Sequence, residues 1–404
     1  MANTILTHKM IAREAAAMLE EQVPFLSRVN RAREDDFGKP VNGINKGDYV
    51  DIRIPANHSV YDGPVFAGGG SPEDKTETSV RLQISTQKHI PLRFTAVEKV
   101  LSLSDFKTRF LQPAMEKMGA VVHADLLRRA VQSTPNLVGT PGTMPTTMKV
   151  WGQAGAIMSN GLAPDGTGGR SAITSHDIQT EMVDTSKALF NPDGDISKQY
   201  REGYVGRAGG FNFFDTASCP TLTNGNKVSG VTVSGASQSG SSLLVGGLAS
   251  GDTFKKGQVF SIANVYSVHP LTGDVYPAVR QFVVTEDVTS TGTTATLPIY
   301  PSINATAPNA TVNALPAAAA ALTFAGAAST GYRQNLAYHR DAFTLAFVPL
   351  PVLASCEGYT FKTNDFSVRV MTFGDGVNDL ENTRIDVLYG FASVRGVHAC
   401  RVTE

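Results

Sequence analysis

Along this chain the spacing of apolar and polar residues changes period several times, and each change marks a different element. The longest helical pattern covers residues 104–133, where Met115, Met118, Val122 and Leu126 recur at helical spacing and form one apolar stripe. Glu116, Lys117, His123 and Arg128 fall on its other faces. Ser104 is placed to cap the start, with Asp105 in the first turn. Pro113 interrupts the pattern, so the spacing predicts a short helix up to about Leu111 and a longer one with Pro113 in its first turn. At 1.5 Å per residue the longer piece runs roughly 30 Å, long enough to serve as a spine.

Upstream, Ile11, Ala15, Met18 and Leu19 share one helical stripe, with Arg13, Glu14, Glu20 and Glu21 elsewhere. Such a short amphipathic helix is marginal alone, so it is expected to lie on another part of the protein or on a neighbouring subunit. Between residues 48 and 90 the period falls to two: Val50, Ile52 and Ile54 alternate with polar residues, and so do Val80, Leu82 and Ile84. The two predicted strands are separated by residues 58–77, which include Gly68-Gly69-Gly70 and are too many for a tight hairpin turn. No third strand is evident nearby. A two-stranded arm is rarely stable by itself, so it needs a surface to lie on.

Beyond the spine, residues 137–169 are glycine-rich and weakly patterned. Ser175 is placed to cap a helix whose buried side is Ile178, Met182, Val183 and Leu189, and residues 190–215 combine a turn, a short helix and an aromatic strand. At Pro220 the composition shifts. Through residues 221–330 the only charged side chains are Lys227, Asp252, Lys255, Lys256, Asp274, Arg280, Glu286 and Asp287, while Val, Thr, Ser and Gly dominate. Short strands at 231–234, 258–262, 281–285 and 294–297 have the spacing of a sandwich or barrel. From Tyr332 charge and helix-compatible residues return, followed by strands at 343–348, 366–373, 384–391 and 397–402. The β domain is therefore an insertion into a parent domain.

Size and composition narrow the function. A chain of 404 residues predicts two or three domains. With 35 basic and 36 acidic residues and a net charge of -1, it has no bulk positive field, so contact with DNA would be local or weak. Cys219, Cys356 and Cys400 are far apart and form no CxxC pair, which argues against a zinc ribbon, a redox motif or a disulfide framework. The N-terminal segment lacks an apolar signal-peptide core and no run approaches a membrane span; the most apolar piece, 315–328, is Ala-rich and contains Pro316. The expectation is a soluble protein made in the cytoplasm, without a membrane partner.

The candidate chemistry is thin. Asp74-Lys75-Thr76-Glu77-Thr78 and Gly374-Asp375-Gly376-Val377-Asn378-Asp379 echo the cation-transporting P-type ATPases. The first departs from DKTGT at its glycine and follows a glycine-rich stretch instead of an apolar strand, so a hairpin tip and a glycine turn are the better reading. Asn191, Asp193, Asp195 and Glu202 fall in an EF-hand-like register, but Ile196 stands where the sharp turn needs glycine and Pro192 also departs, which favours a solvated turn. The eight histidines show neither HxH nor HExxH spacing. GxSxG and GxxxxGK[ST] motifs are absent, and Lys255-Lys256 reads as a solvated turn. No catalytic residue, metal ligand or cofactor is expected.

An N-terminal helical arm, a long β arm, a spine helix, a mixed α/β domain and an inserted β domain, in this order, resemble the major capsid protein of tailed bacteriophages. The branch is that of the P-twenty-two-like coat proteins with an insertion domain. Tyr200-Arg201-Glu202-Gly203 and Gly209-Gly210-Phe211 are similar to the helix, turn and strand that precede the insertion in that family. Asn335-Leu336-Ala337-Tyr338-His339-Arg340-Asp341-Ala342-Phe343 and Arg384-Ile385-Asp386-Val387-Leu388-Tyr389-Gly390 are similar to its return into the parent domain.

The resemblance implies an α+β, HK-ninety-seven-like capsid fold. Residues 1–35 would be the N-arm, 36–92 the extended β loop and 93–136 the peripheral domain with its spine helix. Residues 137–219 and 331–404 would form the axial domain, and 220–330 an inserted all-β telokin-like domain. It further implies hexamers and pentamers closing an icosahedral head around double-stranded DNA, with assembly in the host cytoplasm guided by a scaffolding protein and followed by expansion. A portal protein at one vertex and a decoration protein are the other implied partners. In residues 266–280, a long excursion of the insertion, Asp274 and Arg280 are the candidate contacts with a neighbouring capsomer. Some members of the broader fold family cross-link a loop lysine to a neighbour's asparagine; Lys75 is available, but the insertion-bearing branch is not expected to do this. Two other classes stay open at this point: a carbohydrate- or cell-binding β module at 221–330, and the phosphoryl-transfer enzyme suggested by Asp74.

Overall fold

The computed structural model describes residues 8–22, 25, 28–34, 37, 40–41, 44–45, 49–55, 57–66, 77–95, 110–165, 169–186, 206–362, 366–375 and 380–404. Ser104, Asp105, the glycine triplet at 68–70, Asp74, Lys75, Leu189, the EF-hand-like register at 191–202 and Tyr200–Gly203 lie outside the described residues. The chain folds as two compact units, one made of Met1–Ile52, Val80–Leu127 and Phe343–Val394, the other of Arg53–Ser79, Arg128–Ala342 and Arg395–Glu404.

The spine helix spans Gln112–Ser133, roughly 33 Å, with Pro113 in its first turn where a missing amide hydrogen costs nothing. Met115, Met118, Val122 and Leu126 are all buried, as their spacing predicts. His123 departs from expectation: it is only 2% exposed, because it and Leu127 extend the buried arc to one side of the stripe. Asp125, on the same helix, accepts a hydrogen bond of 2.7 Å from the Tyr389 hydroxyl. The N-terminal helix, His8–Gln22, buries Ile11, Ala12, Ala15, Ala16 and Leu19. It lies on strands of its own chain, Glu357–Lys362 and Ser367–Asp375, with His8 Nε2 2.8 Å from Thr372 Oγ1.

Those strands belong to a six-stranded sheet in the order Glu357–Lys362, Ser367–Asp375, Leu380–Ser393, Thr78–Thr95, Tyr49–Ile54, with Phe343–Phe347 pairing the far end of Leu380–Ser393. The β arm is thus not the bare two-stranded ribbon that local pattern implied. Thr78–Thr95 pairs Leu380–Ser393 from Thr95↔Leu380 to Ile84↔Gly390, so its third strand comes from the other end of the chain. Gly390 sits at a bulge where a Cβ would lie 2.3 Å from the Gln83 carbonyl oxygen; glycine is what allows the two backbones to meet. Gly374 and Asp375, the first two residues of the second ATPase-like motif, end one strand of a hairpin that resumes at Leu380, and the other four lie outside the described residues.

In the second unit the central strand is Gly331–His339, where the pattern predicts helix-compatible residues. It pairs Ala399–Thr403 on one side and Arg170–Thr174 on the other, and two-sided pairing and burial override its weak intrinsic pattern. The seven-stranded mixed sheet also holds Asn136–Val138, Phe211–Asp215, Arg207–Ala208 and Thr221–Thr223. The weakly patterned region after the spine contains a helix, Met148–Asn160, which buries Trp151, Ala154 and Met158. Trp151 meets Phe213 edge-on at 5.1 Å between ring centroids. Glycines obscure this helix in the sequence: Gly155 faces Phe211, and a Cβ there would lie 3.4 Å from that ring. Ser175 caps His176–Ser186 as predicted, its Oγ accepting the Ile178 amide at 3.4 Å, and Ile178 and Met182 are buried.

Between Thr221–Thr223 and Gly331, which pair with each other at the neck, lies a six-stranded antiparallel sheet: Thr232–Val233, Gly240–Gly246, Thr294–Ile303, Val275–Val284, Val259–Val268, Leu322–Phe324. The Thr232↔Ala321 bridge, with Leu322 N–H donating to Val231 O at 3.0 Å, joins the two edges into a barrel. Phe260, Phe282, Phe254 and Phe324 fill its core with centroids 5.3 to 5.7 Å apart along the chain of contacts. The strands at 240–246 and 322–324 carry no strong sequence signal, being short or rich in Ser and Gly.

Candidate assembly surfaces

In the outer part of the β arm, residues 57–66 form a loop that is open to solvent on almost every side chain. Gly63 takes a φ of +82 between Asp62 and Pro64, with Val60 and Tyr61 before it in the chain and Val65 and Phe66 after it. Val60 is 93% and Phe66 79% exposed. Four exposed large apolar side chains within seven residues of one loop mark a contact surface. In the sequence its signal is the two apolar pairs flanking Asp62-Gly63-Pro64, inside a stretch that glycine and proline otherwise mark as a plain loop.

The predicted excursion at 266–280 is a long hairpin of Val259–Val268 and Val275–Val284. Its tip is ordered by His269, whose amide donates to Asp274 O at 2.8 Å and whose Nδ1 accepts the Leu271 and Thr272 amides at 3.2 and 3.1 Å. Thr272 Oγ1 donates to Asp274 Oδ2 at 2.6 Å, which fixes that carboxylate at the tip beside the exposed Leu271 and Val275. Arg280 is six residues down the strand, roughly 20 Å away at 3.3 Å per residue. It is half-buried beside Tyr300, burial pulls its pKa down, and its Nε meets no acceptor. The two candidate contact residues are therefore not brought together.

A residue that pattern does not single out holds the barrel to the sheet below it. Arg401, fully buried on Ala399–Thr403, donates from Nη1 to Gly257 O at 2.6 Å and from Nε to Thr134 O at 2.8 Å, with Nη2 also on Thr134 O. Thr134 directly follows the spine helix, so the guanidinium sits at the negative end of the helix dipole. Burial lowers its pKa to about 9, which leaves it charged at neutral pH. Gln281 adds two bonds, to Leu137 N and O, at 2.8 and 3.0 Å. In the other unit Asp386, with no exposed surface, receives Arg369 Nη2 at 3.0 Å, Arg384 Nε at 2.7 Å and Gln87 Nε2 at 2.9 Å.

These charged groups are consumed by structure. Burial raises the Cys219 thiol to about 12 and pushes Cys400 up as well, so neither is a thiolate at neutral pH. Among the described residues no group of three or more His, Cys, Asp or Glu could hold a metal ion, and no helix is long and apolar enough to cross a membrane. What the surface offers is contact area.

Comparison with known proteins gives the same direction. No curated protein matches the chain. Among solved structures, one described as Mycobacterium phage Che8 superposes with a TM-score of 0.50 at 12% identity, over 94% of this chain and 90% of that one. The capsid structure of the cyanophage P-SCSP1u gives a TM-score of 0.45 at 9% identity, over 89% and 84%. The CUS-3 coat protein I-domain is 29% identical over 24% of this chain and 96% of its own, with a TM-score of 0.19. The likeness to the Che8 structure is one of fold. A model of the family described as P22 coat protein, gene protein 5, matches residues 43–399. The chain therefore belongs to the P22 coat protein family, and it is the major capsid protein of a bacteriophage.

Proposed function

We propose that this coat protein builds an icosahedral head of hexamers and pentamers around double-stranded DNA, with the division of labour of an HK-ninety-seven-like subunit. The observation that carries the proposal is the loop at 57–66, whose Val60, Tyr61, Val65 and Phe66 are exposed on their own chain and need the surface of a second copy. In this reading residues 1–35 are the N-arm, 36–92 the extended loop, 93–136 the peripheral domain, 137–219 and 331–404 the axial domain, and 220–330 a telokin-like insertion. Asp274, held at the exposed hairpin tip, meets a neighbouring capsomer. Arg280, set back in a cleft, would meet one only through a group that enters that cleft.

Assembly takes place in the host cytoplasm on a scaffolding protein, with a portal at one vertex, and expansion follows as DNA enters; a decoration protein is a further partner. The net charge of -1 supports weak contact with the genome, since tight binding requires many phosphate contacts. Sedimentation velocity tests this reading. Addition of the scaffolding protein should convert slowly sedimenting chains into one fast species of uniform size; chains that stay slow with scaffold present would remove it.

A further inference from the structure

Arg280 is a permanent cation without an acid. Its guanidinium makes no hydrogen bond to any described residue, Nε is fully enclosed, and the group beside it is the Tyr300 phenol, which burial keeps protonated. Leaving such a charge half out of water without a counter-charge is costly. It opens into a cleft of about 140 Å³ between the inserted hairpin and the sheet and helix below it, and among the described residues no carboxylate lines that cleft.

The walls are set by groups already in use. Asn136 spends its amide on Val397 O and Ala399 O, at 3.0 and 2.9 Å, and Gln281 spends its own on Leu137. Asn160 and Tyr276, also in the lining, keep their side-chain polar atoms free of hydrogen bonds to described residues. Ile157 and Val268 make part of the remaining wall apolar, which strengthens a charge interaction inside it. A guanidinium fork matches the paired oxygens of a phosphate or carboxylate.

We propose that this cleft binds one small oxyanion, of the phosphate or carboxylate class, on Arg280, with Asn160 and Tyr276 as further donors. The bound anion ties the inserted hairpin to the domain beneath it. All the lining residues belong to one chain, so the unassembled protein already carries the site.

The test is a thermal melt of the full, unassembled chain titrated with inorganic phosphate, against sodium chloride at matched ionic strength, and repeated on assembled shells. A saturable rise in Tm that Arg280→Gln abolishes is the expected result. Persistence of the rise in shells assigns the site to a free ion, and its loss there assigns it to a carboxylate from a neighbouring copy. An equal rise in the variant, or none in the native chain, overturns the proposal. Should Arg280→Gln not fold, Asn160→Ala and Tyr276→Phe must raise the half-saturating phosphate concentration several-fold; an unchanged midpoint in both overturns it equally.

Discussion

Arg401 Nη1 donates to the carbonyl oxygen of Gly257 at 2.6 Å, a bond from the last strand of the parent sheet into the turn that begins the barrel's long hairpin. Through Thr134 the same guanidinium reaches the end of the spine helix, so one side chain joins three elements. Replacing it strands two buried carbonyls. Arg401→Ala should destabilise the second unit by about 3 kcal/mol or more, measured by urea denaturation. Arg401→Lys should recover only part of this, because one ammonium lacks the fork that spans both acceptors.

Asp386 poses the converse case, a buried carboxylate between Arg369 and Arg384. Arg369 is itself buried, and its Nη1 is committed to Pro351 O at 2.6 Å. Asp386→Asn keeps the shape and removes the charge, leaving Arg369 without its counter-ion. We expect a loss of about 3 to 5 kcal/mol in chemical denaturation, against a far smaller loss for Arg384→Ala, whose side chain is one-third exposed.

Acid should destabilise the fold through its buried histidines. Burial lowers His123 and His398 from 6.5 to about 4, and lowers His339 as well. Between pH 6.5 and 4 the unfolded chain therefore binds more protons than the folded one, and stability falls as pH drops through that window. His123 alone should contribute about 3 kcal/mol of this loss by pH 4. Glu404, whose carboxyl is raised by burial, opposes the trend near its own titration. His123→Gln should flatten the dependence of the denaturation midpoint on pH; an unchanged slope would contradict the burial argument.

The loop at 57–66 separates folding from assembly. Val60→Ser with Phe66→Ser changes two side chains that are 93% and 79% exposed, so melting of the isolated chain should move by less than about 0.5 kcal/mol. The yield of closed particles should fall severalfold by sedimentation. An equal yield would mean that the exposed pairs cover nothing.

Elements with a strong local period are legible in the sequence. The stripe from Met115 to Leu126, the Ser175 cap and the strand at Phe343–Phe347 each depend on neighbours a few residues away. What escapes depends on partners far along the chain. Gly331–His339 is a strand because Ala399–Thr403 and Arg170–Thr174 flank it, and Thr78–Thr95 extends to its full length because Leu380–Ser393 pairs it. Met148–Asn160 is hidden by Gly152 and Gly155, the second of which makes room for Phe211. Arg401 looks like an ordinary charged residue in the pattern ACRVT, although an arginine inside an otherwise buried strand is the available clue. Asp274 can be placed at a loop tip from its glycine and proline neighbours, whereas the seclusion of Arg280 requires the tertiary fold.

The central claim is that copies of this chain close into a shell. Electron microscopy of the purified protein, with and without the scaffolding protein proposed above and at concentrations where subunits associate, tests it most directly. The account predicts closed shells of one size with the partner, and aberrant shells or tubes without it. Isolated monomers at every concentration, scaffold present, would contradict it.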